Sequence, residues 1–135
     1  MFLKEDNKNK EIIKIGALLV HAAKIDEDYS IEEEKIIKEA LLKIGAKNEN
    51  IDEIIKKAKE MEENSNQILD FTREIKTMDE KNKIKIIKIL WKIIFSNKEA
   101  DIYETSLMRR LAGLLYIDSK IMGDIKDQIK KDNIK

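Results

Sequence analysis

The sequence predicts an all-α fold, a compact bundle of about seven helices built from two pseudo-symmetric helical hairpins. Three observations lead there. Proline is absent and glycine occurs only four times in 135 residues, so the turn chemistry that strand-rich folds usually need is missing. From Ile84 to Phe95 the polar positions are Lys85, Lys88 and Lys92, which with Lys81 are spaced four, three and four, one stripe of an α-helix. Isoleucine is β-branched and Ile84-Lys85-Ile86 alone reads as a strand, but strict alternation breaks at Ile86-Ile87 and again at Ile93-Ile94, so the helical period wins. Finally, Ser30 to Glu33, Asn50 to Glu53, Thr77 to Glu80 and Asp101 to Glu104 fit the pattern in which a side-chain oxygen caps a helix start and a Glu three residues on reaches back.

Taken in order, Asp6 or Asn9 opens a first helix that runs to about Ile25. A second runs from Ile31 to about Ile44, where Gly45 supplies the residue past the helix end that must turn left-handed. A third covers Ile51 to Glu63. Ser65 opens a fourth over Gln67 to Lys76, carrying Leu69, Phe71 and Ile75. The fifth runs from Met78 to Ser96, the sixth from Ile102 to Leu115, and the seventh from Ser119 to about Lys131. The first and fifth helices are expected at the centre. The tail from Lys130 to Lys135 is expected to fray.

Residues 1–135 form one domain, because a chain of this size with 42% hydrophobic residues buries roughly two-thirds of its unfolded surface without staples. Cysteine is absent, which excludes disulfides, thiolate catalysis and zinc sites of the Cys type. Twenty-seven basic residues balance 27 acidic ones, so no global field draws the chain to nucleic acid or anionic lipid. The charged fraction of 40% does not imply disorder, which needs low hydrophobicity and high net charge together. No run of about 18 apolar residues and no short apolar region before a small-residue cleavage site is present. A soluble, cytoplasmic protein with no membrane span is expected, with peripheral membrane association left open.

An internal repeat organises the chain. Shifted by 71 residues, Gly16 to Leu42 aligns with Ile87 to Gly113. Asp26 then falls on Asn97, Asp28 on Glu99, Ser30 on Asp101, Glu33 on Glu104, Ile37 on Met108 and Lys38 on Arg109. Each copy is an apolar helix, a short acidic loop and a capped amphipathic helix, so the match rests on polarity and loop position.

The first acidic loop reads Ala23-Lys24-Ile25-Asp26-Glu27-Asp28-Tyr29-Ser30-Ile31-Glu32-Glu33-Glu34, and the second follows Leu90 to Ser96 as Asn97-Lys98-Glu99-Ala100-Asp101-Ile102-Tyr103-Glu104. With the bridging Leu69-Asp70-Phe71-Thr72 and the run from Leu107 to Tyr116, this resembles the tellurite-resistance TerB family. The resemblance covers roughly residues 12–130. In that family each hairpin carries Ala-Asp-Gly-Glu before a capped helix with a downstream Glu. Here the glycine is replaced by Glu27 and Lys98, and the second Asp by Asn97. The resemblance implies an all-helical fold, divalent-cation binding by the paired loops and a link to metal or envelope stress responses. A related helical domain is joined to membrane co-chaperones with J-domains, although no His-Pro-Asp sequence occurs here.

The candidate metal ligands are Asp26, Asp28 and Glu33 from the first loop with Asn97, Glu99 and Glu104 from the second. Hard cations such as Ca²⁺, Mg²⁺ or Mn²⁺ gather carboxylate and carbonyl oxygens of this kind. Asp26-x-Asp28-x-Ser30 mimics the start of an EF-hand loop, but Ile31 stands where its glycine belongs and Ile37 where its bidentate Glu belongs, so it is not an EF-hand. The competing reading is that acidic residues before a helix cap its N–H groups and complement its dipole.

Other motifs read as structure. The lysine stripe lacks interleaved aromatics and arginines and is a solvated helix face. The sole histidine, His21, lies in an apolar helix with no second imidazole or thiolate in the chain, and is expected to be a partly buried structural residue. Trp91 and Phe95 are core aromatics, and one of Arg109 and Arg110 pairs with carboxylates near Asp101. No nucleophile elbow and no glycine-rich phosphate loop occurs, so no enzyme is expected. Paired-carboxylate catalysis through Glu33 and Glu104 would need both in one cleft. Two functions stay open: a non-enzymatic cation-binding module, and a metal-free adaptor for an unidentified protein partner, which would present an exposed apolar groove or a self-complementary face.

Overall fold

The computed structural model describes residues 2–25, 31–65, 68–96 and 102–134. Among these residues lie seven helices and no strand: α1 Phe2–Lys24, α2 Ile31–Ile44, α3 Ile51–Asn64, α4 Leu69–Ile75, α5 Glu80–Phe95, α6 Ile102–Leu114 and α7 Ser119–Ile134. The all-helical bundle anticipated from composition and periodicity is therefore present.

Burial follows apolar content. Ala17, Leu18, Leu19, Val20, Ala22 and Ala23 are all buried, and a helix apolar on every side must be surrounded. Accordingly α1 packs on α2, α3, α4 and α5, while α5 packs on α1, α2 and α7. Trp91 and Phe95 stack in the core with ring centroids 5.5 Å apart and 19° between planes. The Trp91 Nε1 is buried without a hydrogen-bond acceptor among the described residues, while Lys126 Nζ lies 5.5 Å from the ring centroid.

Helix boundaries reveal where capping signals are obeyed and where they are overridden. α2 spans the predicted Ile31–Ile44, and Gly45 follows it at φ 136°. The N–H groups of Gly45 and Ala46 both donate to the Leu41 carbonyl, at 3.1 and 2.9 Å, closing the helix end. α1 starts at Phe2 rather than at Asp6 or Asn9, because Lys4, Glu5, Lys8 and Lys10 are good helix formers and nothing among them forces a break. The expected Asn50 cap does not form: Asn50 lies at φ −109°, ψ −5° with no side-chain cap bond. Its N–H donates to the Lys47 carbonyl at 2.9 Å, so a turn already sets the entry to α3. Ser65 ends α3 instead of opening α4, its N–H donating to the Glu62 carbonyl and its hydroxyl to Asp70. At α5 the cap is Asp79, not Thr77. Its extended backbone aims the carboxylate at the Asn82 N–H, 3.0 Å away, where an anion also meets the helix dipole. The tail expected to fray beyond Lys130 is helical to Ile134.

The 71-residue shift recurs in the helix ends. It carries Lys24, the last residue of α1, onto Phe95, the last of α5, and Ile31 onto Ile102, the first residues of α2 and α6. It also carries Gly45 onto Tyr116, which at φ 57° has the other positive φ among the described residues. There the Ile117 N–H donates to the Ala112 carbonyl at 2.9 Å, the counterpart of the Ala46–Leu41 bond. The shift reaches one helix beyond the hairpin as well. Buried Ile51, Ile54 and Ala58 of α3 fall on buried Met122, Ile125 and Ile129 of α7. α3 packs on α1 as α7 packs on α5.

Candidate functional site

In the chain, the two acidic segments follow the ends of α1 and α5 and precede α2 and α6. Of the six candidate ligands, Asp26, Asp28, Asn97 and Glu99 lie outside the described residues. The other two, Glu33 and Glu104, sit in the first turns of α2 and α6 and are only 1% and 2% exposed. A carboxylate buried to that degree must be hydrogen-bonded or paired, and neither lacks an interaction partner. The sequence places both at the third helical position but does not foretell their burial, because a Glu in a first turn ordinarily faces solvent. Their carriers α2 and α6 share no extended packing. Among the described residues no group of three or more His, Asp or Glu side chains could hold a metal ion.

Beside the first loop, the ends of α1 and α3 are clamped through Glu62. Lys24 Nζ donates to its Oε2 at 2.8 Å, and His21 Nδ1 lies 3.3 Å from its Oε1. The Glu62 side chain is 10% exposed against 35% for His21 and 47% for Lys24. The His21 ring is also 6.4 Å from Phe71, centroid to centroid. His21 is thus the partly buried histidine expected, and it fixes the helix that delivers the chain into residues 26–30. Arg109 and Arg110 are both exposed; Asp101, in the region expected to pair with one of them, lies outside the described residues.

The lysine stripe of α5 is only in part a plain solvated face. Lys85, Lys88 and Lys92, with Lys43 from the last turn of α2, rim a groove of about 400 Å³. Its floor is made by Ile12 and Ile15 of α1, Ile44, Met78, and Ile86 and Ile89 of α5. A helical stripe read alone carries no information about neighbours brought in by α1 and α2, so this groove is not legible from the stripe. No helix is long and apolar enough to cross a membrane among the described residues.

Neither a curated protein nor a solved structure matches the chain. The profile of the family described as tellurite resistance protein TerB matches residues 13–127, a span that runs from the first turns of α1's buried face to the last turns of α7 and includes both acidic loops. A match over most of the chain, on an all-helical bundle, makes the protein a member of the TerB tellurite-resistance family.

Proposed function

We propose that the chain is a non-enzymatic, cytoplasmic binding module of the TerB family whose paired acidic loops take up a hard divalent cation, Ca²⁺, Mg²⁺ or Mn²⁺, in a metal or envelope stress response. The observation that carries this reading is the pair Glu33 and Glu104. They stand 71 residues apart, each buried in the first turn of the helix that follows an acidic segment of the sequence. Burying one carboxylate costs several kcal/mol unless it is satisfied, and here that arrangement occurs twice in matching register. In this reading the two buried carboxylates brace the loops, and Asp26, Asp28, Glu99 and the side-chain carbonyl of Asn97 face the ion. The donor set is all oxygen, which suits a hard cation rather than a thiophilic one. The bound ion would relieve the repulsion among like charges that the two loops otherwise carry.

Titration calorimetry on EDTA-stripped protein tests the reading. Saturable heat with at least one of the three cations, lost in the double variant Asp26→Asn plus Glu99→Gln, is the expected outcome. Heat no greater than dilution at millimolar metal removes the cation from the proposal. Undiminished heat in the double variant removes these loops from it.

A further inference from the structure

We propose that the groove framed by α1, the end of α2 and α5 binds a single-chain anionic amphiphile of the fatty-carboxylate class, with the chain on the apolar floor and the carboxylate among the rim lysines. Unpaired charge above an apolar floor singles this groove out. The protein is neutral overall, yet the groove gathers Lys43, Lys85, Lys88 and Lys92 against a single acid, Glu11. None of the four lysines has an ion-pair or hydrogen-bond partner among the described residues.

A second groove on the same molecule shows that such partnering is available to lysines here. Between α2 and α3, a groove of about 460 Å³ carries Lys35, Lys38, Lys56 and Lys59 with Glu34 and Asp52. There Lys38 Nζ lies 3.2 Å from Asp52 Oδ1, and Lys59 is paired with Glu34. The α2–α3 groove pairs two of its four lysines with its own acids and has only Ile31 and Ile55 as apolar lining, whereas the α5 groove leaves all four of its lysines unpaired among the described residues, above five isoleucines and a methionine. An anion attached to an apolar chain complements both features at once, whereas a free anion would leave the floor bare and a neutral lipid would leave the lysines bare.

Size separates this ligand from a partner protein. Twelve residues line the groove, short of the roughly 20–30 residues a side of a standard protein interface, and its volume falls in the range of small-molecule sites. Along α5 the lining runs from Asn82 to Lys92, about 15 Å at the α-helical rise. That length accommodates an extended aliphatic chain lying along the helix. The site is concave, so it receives one chain rather than lying on a bilayer.

The test uses the full chain in EDTA, so that its outcome is independent of cation binding. Dodecanoate below its micelle concentration is titrated calorimetrically. Binding should be saturable at one site, and at least tenfold weaker for dodecyltrimethylammonium and for the triple variant Lys85→Gln, Lys88→Gln, Lys92→Gln. These lysines make no ion pairs among the described residues, so the triple variant should keep the parent's circular dichroism and melting temperature. In an independent measurement, methyl resonances of Ile12, Ile44 and Ile89 should shift on titration while those of Ile31 and Ile55, in the α2–α3 groove, stay put. The proposal fails if dodecanoate gives no saturable binding, if the cationic chain or the triple variant binds equally well, or if the methyl shifts fall elsewhere. Tighter binding to phosphatidylglycerol vesicles than to free dodecanoate would replace it with membrane docking.

Discussion

The crossing of α1 on α3 and the crossing of α5 on α7 occupy equivalent places in the 71-residue register, yet they are built from residues of opposite size. In the first, Gly16 faces Ala58, and a Cβ added to Gly16 would sit 3.0 Å from the Ala58 Cβ and 3.3 Å from Leu41 Cδ1. In the second, the matching positions are Ile87 and Ile129, 0% and 4% exposed. Small residues at a crossing let two helix backbones approach and pack along their length, while bulky ones hold the axes apart and fill the space with side chain. α1 and α3 pack more extensively than α5 and α7. The same apolar register therefore supports a close crossing in one half of the molecule and a side-chain-filled one in the other.

Exchanging residues between the two crossings tests what sets them apart. The largest effect is expected from Ile87→Gly, which imports the first crossing's glycine into the second. It leaves a buried cavity and a mid-helix glycine, and should cost about 5 kcal/mol in urea unfolding followed by Trp91 fluorescence. The reverse exchange, Gly16→Ile, forces a branched side chain against Ala58 and Leu41 and should cost about 3 kcal/mol by the same assay. If Gly16→Ile is tolerated within about 0.5 kcal/mol, the close crossing does not constrain this position.

The two helix ends after α2 and α6 extend the comparison to smaller effects. Gly45→Ala places a Cβ at φ 136° and should cost about 1 kcal/mol. Tyr116 already carries that kind of cost at φ 57°, and Lys76 Nζ, 5.0 Å from its ring centroid, offsets part of it. Tyr116→Gly should therefore stabilise by about 0.5 kcal/mol, because relief of backbone strain outweighs an exposed cation–π attraction. Thermal melts of the two variants should move in opposite directions.

Legibility in the sequence depended on how local each signal was. α2 was legible to the residue because Ile31, Ile44 and Gly45 sit in an unambiguous amphipathic run with a glycine stop. The α1 start was not, since Asp6 and Asn9 are acceptable inside a helix whose neighbours favour helix strongly. Asn50 and Thr77 have the right composition for caps, but the backbone conformation of Asn50 and the competing carboxylate of Asp79 decided otherwise. The third helix of the repeat is hidden in the sequence because Ile51 and Ala58 change identity to Met122 and Ile129, leaving burial rather than residue type in common. Within the candidate site, the positions of Glu33 and Glu104 were legible and their burial was not. The α5 groove lay beyond reach, since Ile12, Ile44 and Ile89 converge only through packing of three helices.

The central functional claim is that two acidic loops, each braced by a buried Glu, act together on one cation. Thermal unfolding of EDTA-stripped protein, with and without about 1 mM of each divalent cation, tests this most directly. A cation at roughly 100 times its dissociation constant should stabilise the fold by about 2.7 kcal/mol, a rise of about 10 °C for a domain of this length. The rise should vanish in Asp26→Asn plus Glu99→Gln. An unchanged melting temperature with all three cations would contradict the claim and reduce the acidic loops to helix caps.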